Sequence, residues 1–349
     1  MNRVLSLSRT AVPAAALSFL VLIVSCSPDP FTPSSGEFVF SDTWGKDDSG
    51  VSREIGPGHG DGQQGSEIGA FNAPTALAVR LDEIFVLDSG NSRIQKFSLY
   101  GAPRNFSCRT QPGVVMNSLG EEGSDAGEFF APADMCLDAA GRILVADSGN
   151  FRVQVFDGSG LAVKAIGRVL NGRPSGTNAP GGFFRPVAVA VDPSGNIYVL
   201  DNFKCTIDRF SSSLAVDAAW QSAGSLRDQV LASAVDLEFH EGFLFVLCRT
   251  KIMKFDPSGA LEEETDLGGF GQDRLAGATR LSVVDGRFAV SDGNYVKFFD
   301  SEMNFLYSIG GVSGDGPGEL SSPSGAALSG DTLYIADTGN NRLQLFRRR

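Results

Sequence analysis

The chain has 349 residues, of which 42% are hydrophobic, and its formal net charge is −12. This acidic balance argues against a nucleic-acid partner, because phosphate binding relies on a basic surface. The apolar fraction is sufficient for a single domain with a continuous core.

The first thirty residues predict an export signal. Arg3 and Arg9 precede the apolar run AVPAAALSFLVLIVS, which ends directly before Cys26. Residues 23–26 match the cleavage pattern of bacterial lipoproteins, which predicts removal of residues 1–25 and lipidation of Cys26. An ordinary secretory signal with an incidental cysteine is the alternative. Residues 26–36 would form a lipidated tether, and we expect an exported protein held at the outer membrane or cell surface, with a mature charge of −14 once both arginines are removed.

A pattern of thirteen residues then recurs along the chain. It reads FVLDSGNSRIQKF from Phe85, LVADSGNFRVQVF from Leu144 and YIADTGNNRLQLF from Tyr334. Each copy follows a glycine-rich turn, a proline and a short apolar strand. Alternating apolar runs separated by turn residues predict an antiparallel meander repeated as similar units.

Three weaker copies begin at Gly182, Ser233 and Ala278, which makes six units. The residues that end the second strand of each unit are spaced 44 to 59 residues apart, and they are Asp88, Asp147, Asp201, Cys248, Asp292 and Asp337. About four strands fit this period, which is the size of a propeller blade. The sixth unit ends after three strands, so residues 37–45 are predicted to supply its fourth strand and close the ring.

The six units resemble NHL repeats over residues 37–349. The resemblance implies an all-β fold, a six-bladed β-propeller of four-stranded antiparallel blades. Known relatives bind proteins, RNA or small ligands, and a minority are enzymes, so the fold does not supply the function.

An aspartate stands five residues before an arginine in three copies, across a Gly-Asn turn. The pairs are Asp88 and Arg93, Asp147 and Arg152, and Asp337 and Arg342; Asp201 and Asp292 occupy the aspartate position in weaker copies. We expect the carboxylate to bind turn amides and the guanidinium, with Gly and Asn accepting positive φ. Since a catalytic site is rarely copied around a ring, these residues are predicted to be structural.

Most innermost strands present small residues to the central channel, but three differ. The second unit has Asp134 and Cys136, the fourth has Asp236 and Glu238, and the fifth has Arg280. The acids are candidate ligands for calcium or a polar molecule at the channel mouth. Alternatively, Arg280 pairs with Asp236 or Glu238 and neutralises them.

The loops that join one unit to the next share a face with the turns between second and third strands, and we call it the entry face. Long insertions at residues 46–67 and 109–128 lie on this predicted face, where binding loops are common. Lys204, Arg249 and Lys251 are expected to form a small basic patch there, which could receive an anionic ligand or simply be solvated.

Catalytic motifs are weak. The two histidines, His59 and His240, are predicted at opposite ends of the ring and are poorly placed to share a metal, and GxSxG and HExxH motifs do not occur. The leading hypothesis is a non-catalytic, lipid-anchored propeller without a cofactor that binds an envelope protein, glycan or small ligand. A calcium-dependent, lactonase-like or lyase-like enzyme that uses the channel acids is the alternative.

Cys205 and Cys248 fall in adjacent turns and could form a disulfide, although buried thiols are the simpler expectation.

Overall fold

Short apolar strands joined by tight turns make up nearly all of the described chain. The computed structural model describes residues 38–45, 64–107, 115–167, 169–170, 173–217, 220, 229–269, 271 and 273–349. The signal, Cys26, the tether, His59, Cys108, residues 46–63 of the first long insertion and residues 109–114 of the second lie outside these residues. Within them, no helix is long and apolar enough to cross a membrane.

Three blades are complete four-stranded antiparallel sheets whose strands are adjacent in chain order. They are blade 2 (Pro132–Leu137, Ile143–Asp147, Arg152–Phe156, Ala162–Gly167), blade 4 (Ala234–His240, Phe243–Cys248, Lys251–Phe255, Leu261–Asp266) and blade 5 (Ala278–Val284, Arg287–Asp292, Tyr295–Phe299, Phe305–Gly310).

Blades 1 and 3 have irregular outer edges. Their first three strands are Pro74–Arg80, Glu83–Asp88 and Arg93–Ser98 in blade 1, and Pro186–Val191, Ile197–Asp201 and Thr206–Phe210 in blade 3. In blade 1 the outer position is shared by two short strands, Pro103–Arg104 and Ser118–Leu119. In the described part of blade 3, a single bridge from Phe210 to Val216 and the indole N–H of Trp220, which donates to the Ile207 carbonyl, cover the third strand. Trp220 therefore covers a sheet edge rather than ending an outer strand.

Several short elements lie between the blade strands. They are the hairpins Phe106–Ser107 with Val115–Met116 and Val169–Leu170 with Arg173–Pro174, and the 3₁₀ helices Ser89–Asn91, Ser148–Asn150, Gln229–Ser233 and Thr338–Asn340.

Blade 6 is closed by the N-terminal strand, as the sequence predicts. Ala326–Ser329, Thr332–Asp337 and Arg342–Arg348 come from the C-terminal end of the chain, and Phe38–Trp44 pairs with the last of them. Phe38 lies opposite Arg348 and Trp44 opposite Leu343, with a bulge at Ser41. Each innermost strand contacts those of its two neighbours, including blade 6 with blade 1, so the six blades form a closed ring.

The core lies between blades. Six clusters of buried apolar side chains each join two neighbouring blades. In the cluster between blades 6 and 1, the Trp44 ring lies 5.4 Å from Tyr334 and 6.2 Å from Phe97, centroid to centroid. The Tyr334 hydroxyl donates to the Leu99 carbonyl at 2.8 Å. The closing strand thus contributes core packing as well as backbone pairing.

Trp44→Ala tests the closure. Only 2% of Trp44 is exposed, and replacing a buried aromatic residue with alanine typically costs about 3–5 kcal/mol. We expect a loss of that size in urea unfolding. Val163→Ala, at an exposed position of an outermost strand, is the matched control and should change stability little. Equal losses for both variants would contradict closure by the N-terminal strand.

Candidate functional site

The repeated aspartate organises the entry face of each strong blade. In blade 1 the buried Asp88 carboxylate accepts four hydrogen bonds. Its Oδ1 accepts the Asn72 backbone N–H at 2.7 Å. Its Oδ2 accepts from the side chains of Asn91 at 2.9 Å, Arg93 at 2.8 Å and Gln95 at 3.1 Å. Burial raises the pKa of Asp88 above its usual value, and these donors oppose that rise.

The same side chains hold the loop that leads into the innermost strand. Arg93 donates to the carbonyls of Ser66, Glu67 and Ala70, while Gln95 accepts the Gly69 N–H at 2.9 Å. The arrangement recurs in blade 2 through Asp147, Asn150, Arg152 and Gln154, and in blade 6 through Asp337, Asn340, Arg342 and Gln344. Arg93, Arg152 and Arg342 are therefore structural, because their donors are used on the carboxylate and on loop carbonyls.

The turn chemistry differs from the expectation in one respect. Positive φ falls on the residue after the Gly-Asn pair, at Ser92, Phe151 and Asn341, rather than on Gly or Asn. Glycine is required for another reason: a Cβ at Gly90 would lie 2.6 Å from the Asn72 carbonyl oxygen. The close approach lets the Gly90 N–H donate to that oxygen at 2.8 Å.

Weaker blades replace the arginine with lysine. In blade 5, Lys297 pairs with Asp292 at 2.8 Å. In blade 3, Lys204 comes from a different turn position, pairs with Asp208 at 2.9 Å and donates to the Gly182 carbonyl. Its side chain is 3% exposed. Lys204 therefore adds no solvent-facing charge to the expected basic patch.

The other two residues of the predicted patch, Arg249 and Lys251, differ in their surroundings. Lys251 pairs with Glu264 at 3.0 Å, while Arg249 is exposed. Of the three residues of the predicted patch, only Arg249 is exposed and forms no ion pair with another described residue. Lys251 is partly neutralised by Glu264, and Lys204 is buried against Asp208.

The channel residues do come together. Blades 2 and 5 lie opposite each other in the ring, and Arg280 of blade 5 reaches across the channel to blade 2. Its Nη1 lies 2.7 Å from Asp134 Oδ1 and 3.5 Å from Asp236 Oδ1, and its Nη2 donates to the Ala133 carbonyl at 2.7 Å. We call this link between three blades the Arg280 crossbar.

The free oxygens of both acids bind the next blade. Asp134 Oδ2 accepts the Val189 N–H at 2.8 Å, and Asp236 Oδ2 accepts the Leu281 N–H at 2.7 Å. These two bonds join blade 2 to blade 3 and blade 4 to blade 5. Each carboxylate thus offsets the charge of the Arg280 guanidinium and also holds the innermost strand of a neighbouring blade through a backbone N–H.

This arrangement does not fit a calcium ion. Calcium takes six to eight oxygen ligands, whereas both aspartates are engaged and a guanidinium stands between them. Among the described residues, no group of three or more His, Cys, Asp or Glu side chains is placed to hold a metal. Of the alternatives for the channel, the geometry supports pairing with Arg280, but the nearest carboxylate is Asp134, which the sequence did not indicate as its partner; Asp236 lies farther away, and Glu238 forms no ion pair with a described residue.

Glu238 is the channel acid without a partner. It is half-buried, and no other described residue forms a hydrogen bond or ion pair with it. Burial, followed by the charges of Asp236 and Asp134, raises its pKa well above the usual value, against the attraction of Arg280. Burial also raises the pKa of Asp236 to about 7. The Glu238 carboxyl group that faces the channel is therefore biased towards its neutral form by burial and by the neighbouring aspartates.

The sequence reasoning missed an aromatic cluster on the entry face. The rings of Phe184 and Phe203 in blade 3 lie 5.3 Å apart, and Phe203 is 65% exposed. Asp201 fixes both residues, since its carboxylate accepts their backbone N–H groups at 2.6 and 3.1 Å. Phe130 stands at the matching position of blade 2 and is also exposed. Alignment of the units could have revealed the cluster, because blades 1 and 6 carry Asn72 and Ser321 there.

The described cysteines Cys136, Cys205 and Cys248 form no disulfide with one another. The bond considered between Cys205 and Cys248 is not formed, and the alternative of separate thiols holds. His240 ends its strand against the Phe288 ring, 5.5 Å away centroid to centroid.

Arg280→Met tests the crossbar. Removing one partner of a buried ion pair leaves uncompensated charge and typically costs about 3–5 kcal/mol. We expect that loss in urea unfolding at neutral pH. Arg249→Met, at an exposed arginine, should change stability by less than about 0.5 kcal/mol. A loss at Arg280 no larger than at Arg249 would show that the crossbar does not support the ring.

Glu238→Gln tests the unpartnered acid. Because its pKa is raised in the folded state, ionisation destabilises the fold as pH rises above the usual glutamate value. We expect the variant to be more stable than the parent at neutral and alkaline pH, with the difference vanishing below about pH 4. Thermal unfolding across pH measures this, with the exposed Glu262→Gln as the control. A difference that does not change with pH would contradict the assignment.

Comparison with known proteins places these features in context. The NHL repeat family model matches residues 71–97, 131–156 and 320–346. NHL repeat-containing protein 3 of Mus musculus is 28% identical over 199 residues, which cover 54% of this chain and 50% of that protein. The chain thus spans about half of this curated relative.

Two solved structures share the fold. An auxiliary nutrient binding protein from Bacteroides ovatus superposes with a TM-score of 0.59 at 13% identity, covering 90% of this chain and 77% of that one. A gluconolactonase from Xanthomonas campestris superposes with a TM-score of 0.56 at 15% identity, covering 92% and 99%. At these identities the likeness concerns the fold alone. The chain therefore carries three segments that match the NHL repeat model, and it folds as a six-bladed β-propeller.

Proposed function

We propose that this chain is a non-catalytic binding propeller, held at the bacterial cell envelope through lipid on Cys26, and that its entry face binds a partner protein. The observation that carries the proposal is the pair formed by the half-buried Phe184 and the exposed Phe203, which Asp201 holds on a rigid scaffold. Aromatic side chains are enriched at interface hot spots.

The surroundings of the pair support a protein partner over a glycan or small ligand. Arg185 lies beside it, exposed, with its Nε bound to the Asn202 side chain at 2.7 Å. Phe130 adds a third aromatic ring on the neighbouring blade. Such a surface is broader than a small-molecule pocket, and aromatic residues with arginine are the side chains that protein interfaces favour. The acidic charge of the chain disfavors nucleic acid as a partner.

The channel chemistry supports a non-catalytic role. Asp134 and Asp236 are committed to Arg280 and to backbone N–H groups, so they have no free oxygens with which to activate a substrate. The nutrient-binding protein from Bacteroides ovatus has a name that denotes binding, which is consistent with use of this fold as a binding module.

One observation favours the enzymatic alternative. Glu238 is an unpartnered acid with a raised pKa in the channel, and such groups can act as general acids. The fold of the gluconolactonase is compatible with this role but does not establish it. Lactone hydrolysis by the chain that is lost in Glu238→Gln would favour this alternative over the binding module.

Site-specific photo-crosslinking tests the entry face. A benzophenone amino acid at Phe203 in the native host should yield a discrete cross-linked protein, because this position faces the partner. The same probe at Val163, an equally accessible site on the outer edge of blade 2, should yield none. Products at both sites, or at neither, would contradict the proposal. Mass spectrometry of the mature N-terminus and release of a Cys26→Ser variant from membranes test the anchor separately.

A further inference from the structure

The two most exposed large apolar side chains among the described residues lie on the same blade. Tyr100 is 84% exposed and Leu81 is 80% exposed, and both belong to blade 1. Leu81 lies in the turn between the first and second strands, and Tyr100 in the turn after the third. Both turns lie on the face of the ring away from the entry face, which we call the opposite face.

Other blades have polar residues where blade 1 has Tyr100. In five blades the turn after the third strand is closed by the same hydrogen bond, from the N–H of its first residue to the carbonyl four residues later. The third residue of that turn is Tyr100 in blade 1. The residues at this position in blades 2 to 5 are Ser159, Ser213, Ser258 and Glu302. The fold therefore does not require an aromatic residue here.

Leu81 departs from the other blades in the same way. It is the first residue of a two-residue turn between Arg80 and Glu83, and its φ is 57°. The residues at this position in the other two-residue turns are Glu241, Asp285 and Gly330. A branched side chain in the left-handed region is strained, and an exposed leucine returns no core packing. Folding alone does not explain this residue.

The surroundings are basic for so acidic a chain. Four exposed arginines lie at this side of blades 1 and 6: Arg80, Arg104, Arg347 and Arg349. Asp82, Asp285 and Asp331 are exposed acids nearby; Asp82 is 3.9 Å from Arg104, and Asp285 pairs with Arg348 at 2.7 Å. A cleft of about 550 Å³ between the two blades is lined by Tyr100, Arg347 and Ser41 of the closing strand, among others.

The chain also enters the propeller at this face. Phe38 begins the closing strand opposite Arg348, at the end of blade 6 that is away from the entry face. Residues 27–37 can span at most about 40 Å. A lipid on Cys26 would therefore keep this corner of the ring within that distance of the bilayer surface.

We propose that Leu81, Tyr100 and the surrounding arginines form a membrane-contacting surface that seats blade 1 on the phospholipid headgroups and turns the entry face away from the bilayer. The orientation rests on the proposed anchor at Cys26; the contact itself does not. Tyrosine is suited to the membrane interface, and arginine to anionic headgroups. Leu81 and Tyr100 project separately, so they offer a protein partner little continuous apolar area. Each side chain can insert into the headgroup layer of a membrane on its own.

Vesicle binding by residues 27–349 tests the surface without the lipid. This form keeps every described strand, and its melting temperature checks its fold. We expect it to sediment with vesicles of phosphatidylethanolamine and phosphatidylglycerol. Leu81→Glu combined with Tyr100→Ser, which installs residues found in other blades, should lower the partition coefficient about tenfold without lowering the melting temperature. Leu261→Glu, at an exposed apolar position of blade 4, is the matched control and should bind as the parent does.

The outcomes separate the contact from the anchor. Vesicle binding that depends on Leu81 and Tyr100 supports the surface even if mass spectrometry finds no lipid on Cys26. Equal binding by the double variant and the parent, or no binding by the parent, overturns the surface even if Cys26 is lipidated.

Discussion

A buried carboxylate at the end of the second strand organises this propeller. Asp88 and its counterparts in blades 2 and 6, Asp147 and Asp337, each accept a backbone N–H from the incoming loop and three side-chain donors from their own blade. A buried charge is costly unless its hydrogen bonds are all made, so the loop must adopt the conformation that supplies them. The entry face is therefore fixed by the same groups that connect the strands, and side chains mounted on it are held rigidly. In blade 3, Asp201 instead holds Phe184 and Phe203 by accepting their backbone N–H groups.

At the centre of the ring, buried carboxylates are neutralised by an arginine from another blade rather than by donors of their own blade. Six innermost strands meet around a channel, and most fill it with small residues. Blades 2, 4 and 5 instead place two aspartates and an arginine there, and the Arg280 crossbar satisfies most of their polar atoms. The guanidinium Nε is buried without a hydrogen-bond partner among the described residues. This link ties opposite blades together, and it occupies groups that a channel enzyme would need for substrate or metal.

The two faces of the ring differ in chemistry. The entry face carries aromatic rings set by the aspartate networks, whereas the opposite face carries Leu81 and Tyr100 among arginines. The closing strand joins these features, since it begins at the opposite face and completes the core between blades 6 and 1. A propeller attached near one face and binding through the other would keep its partner-binding loops clear of the bilayer.

The sequence by itself determined the repeat, the strands, the closing strand and the structural role of the aspartate and arginine pairs. The repeat, the strands and the aspartate–arginine pairs follow from strand alternation, turn residues and short spacings. The closing strand follows from the missing fourth strand of the last unit, although it pairs with the other end of the chain. The tertiary structure alone decided that Arg280 crosses to Asp134, 146 residues away, because that contact depends on the number of blades and the width of the channel. It also decided that Lys204 is buried, since the Gly182 carbonyl and Asp208 meet its ammonium only after the blade has folded. Short-range patterns specify a blade, but closure of the ring sets which side chains from distant blades meet and which remain exposed.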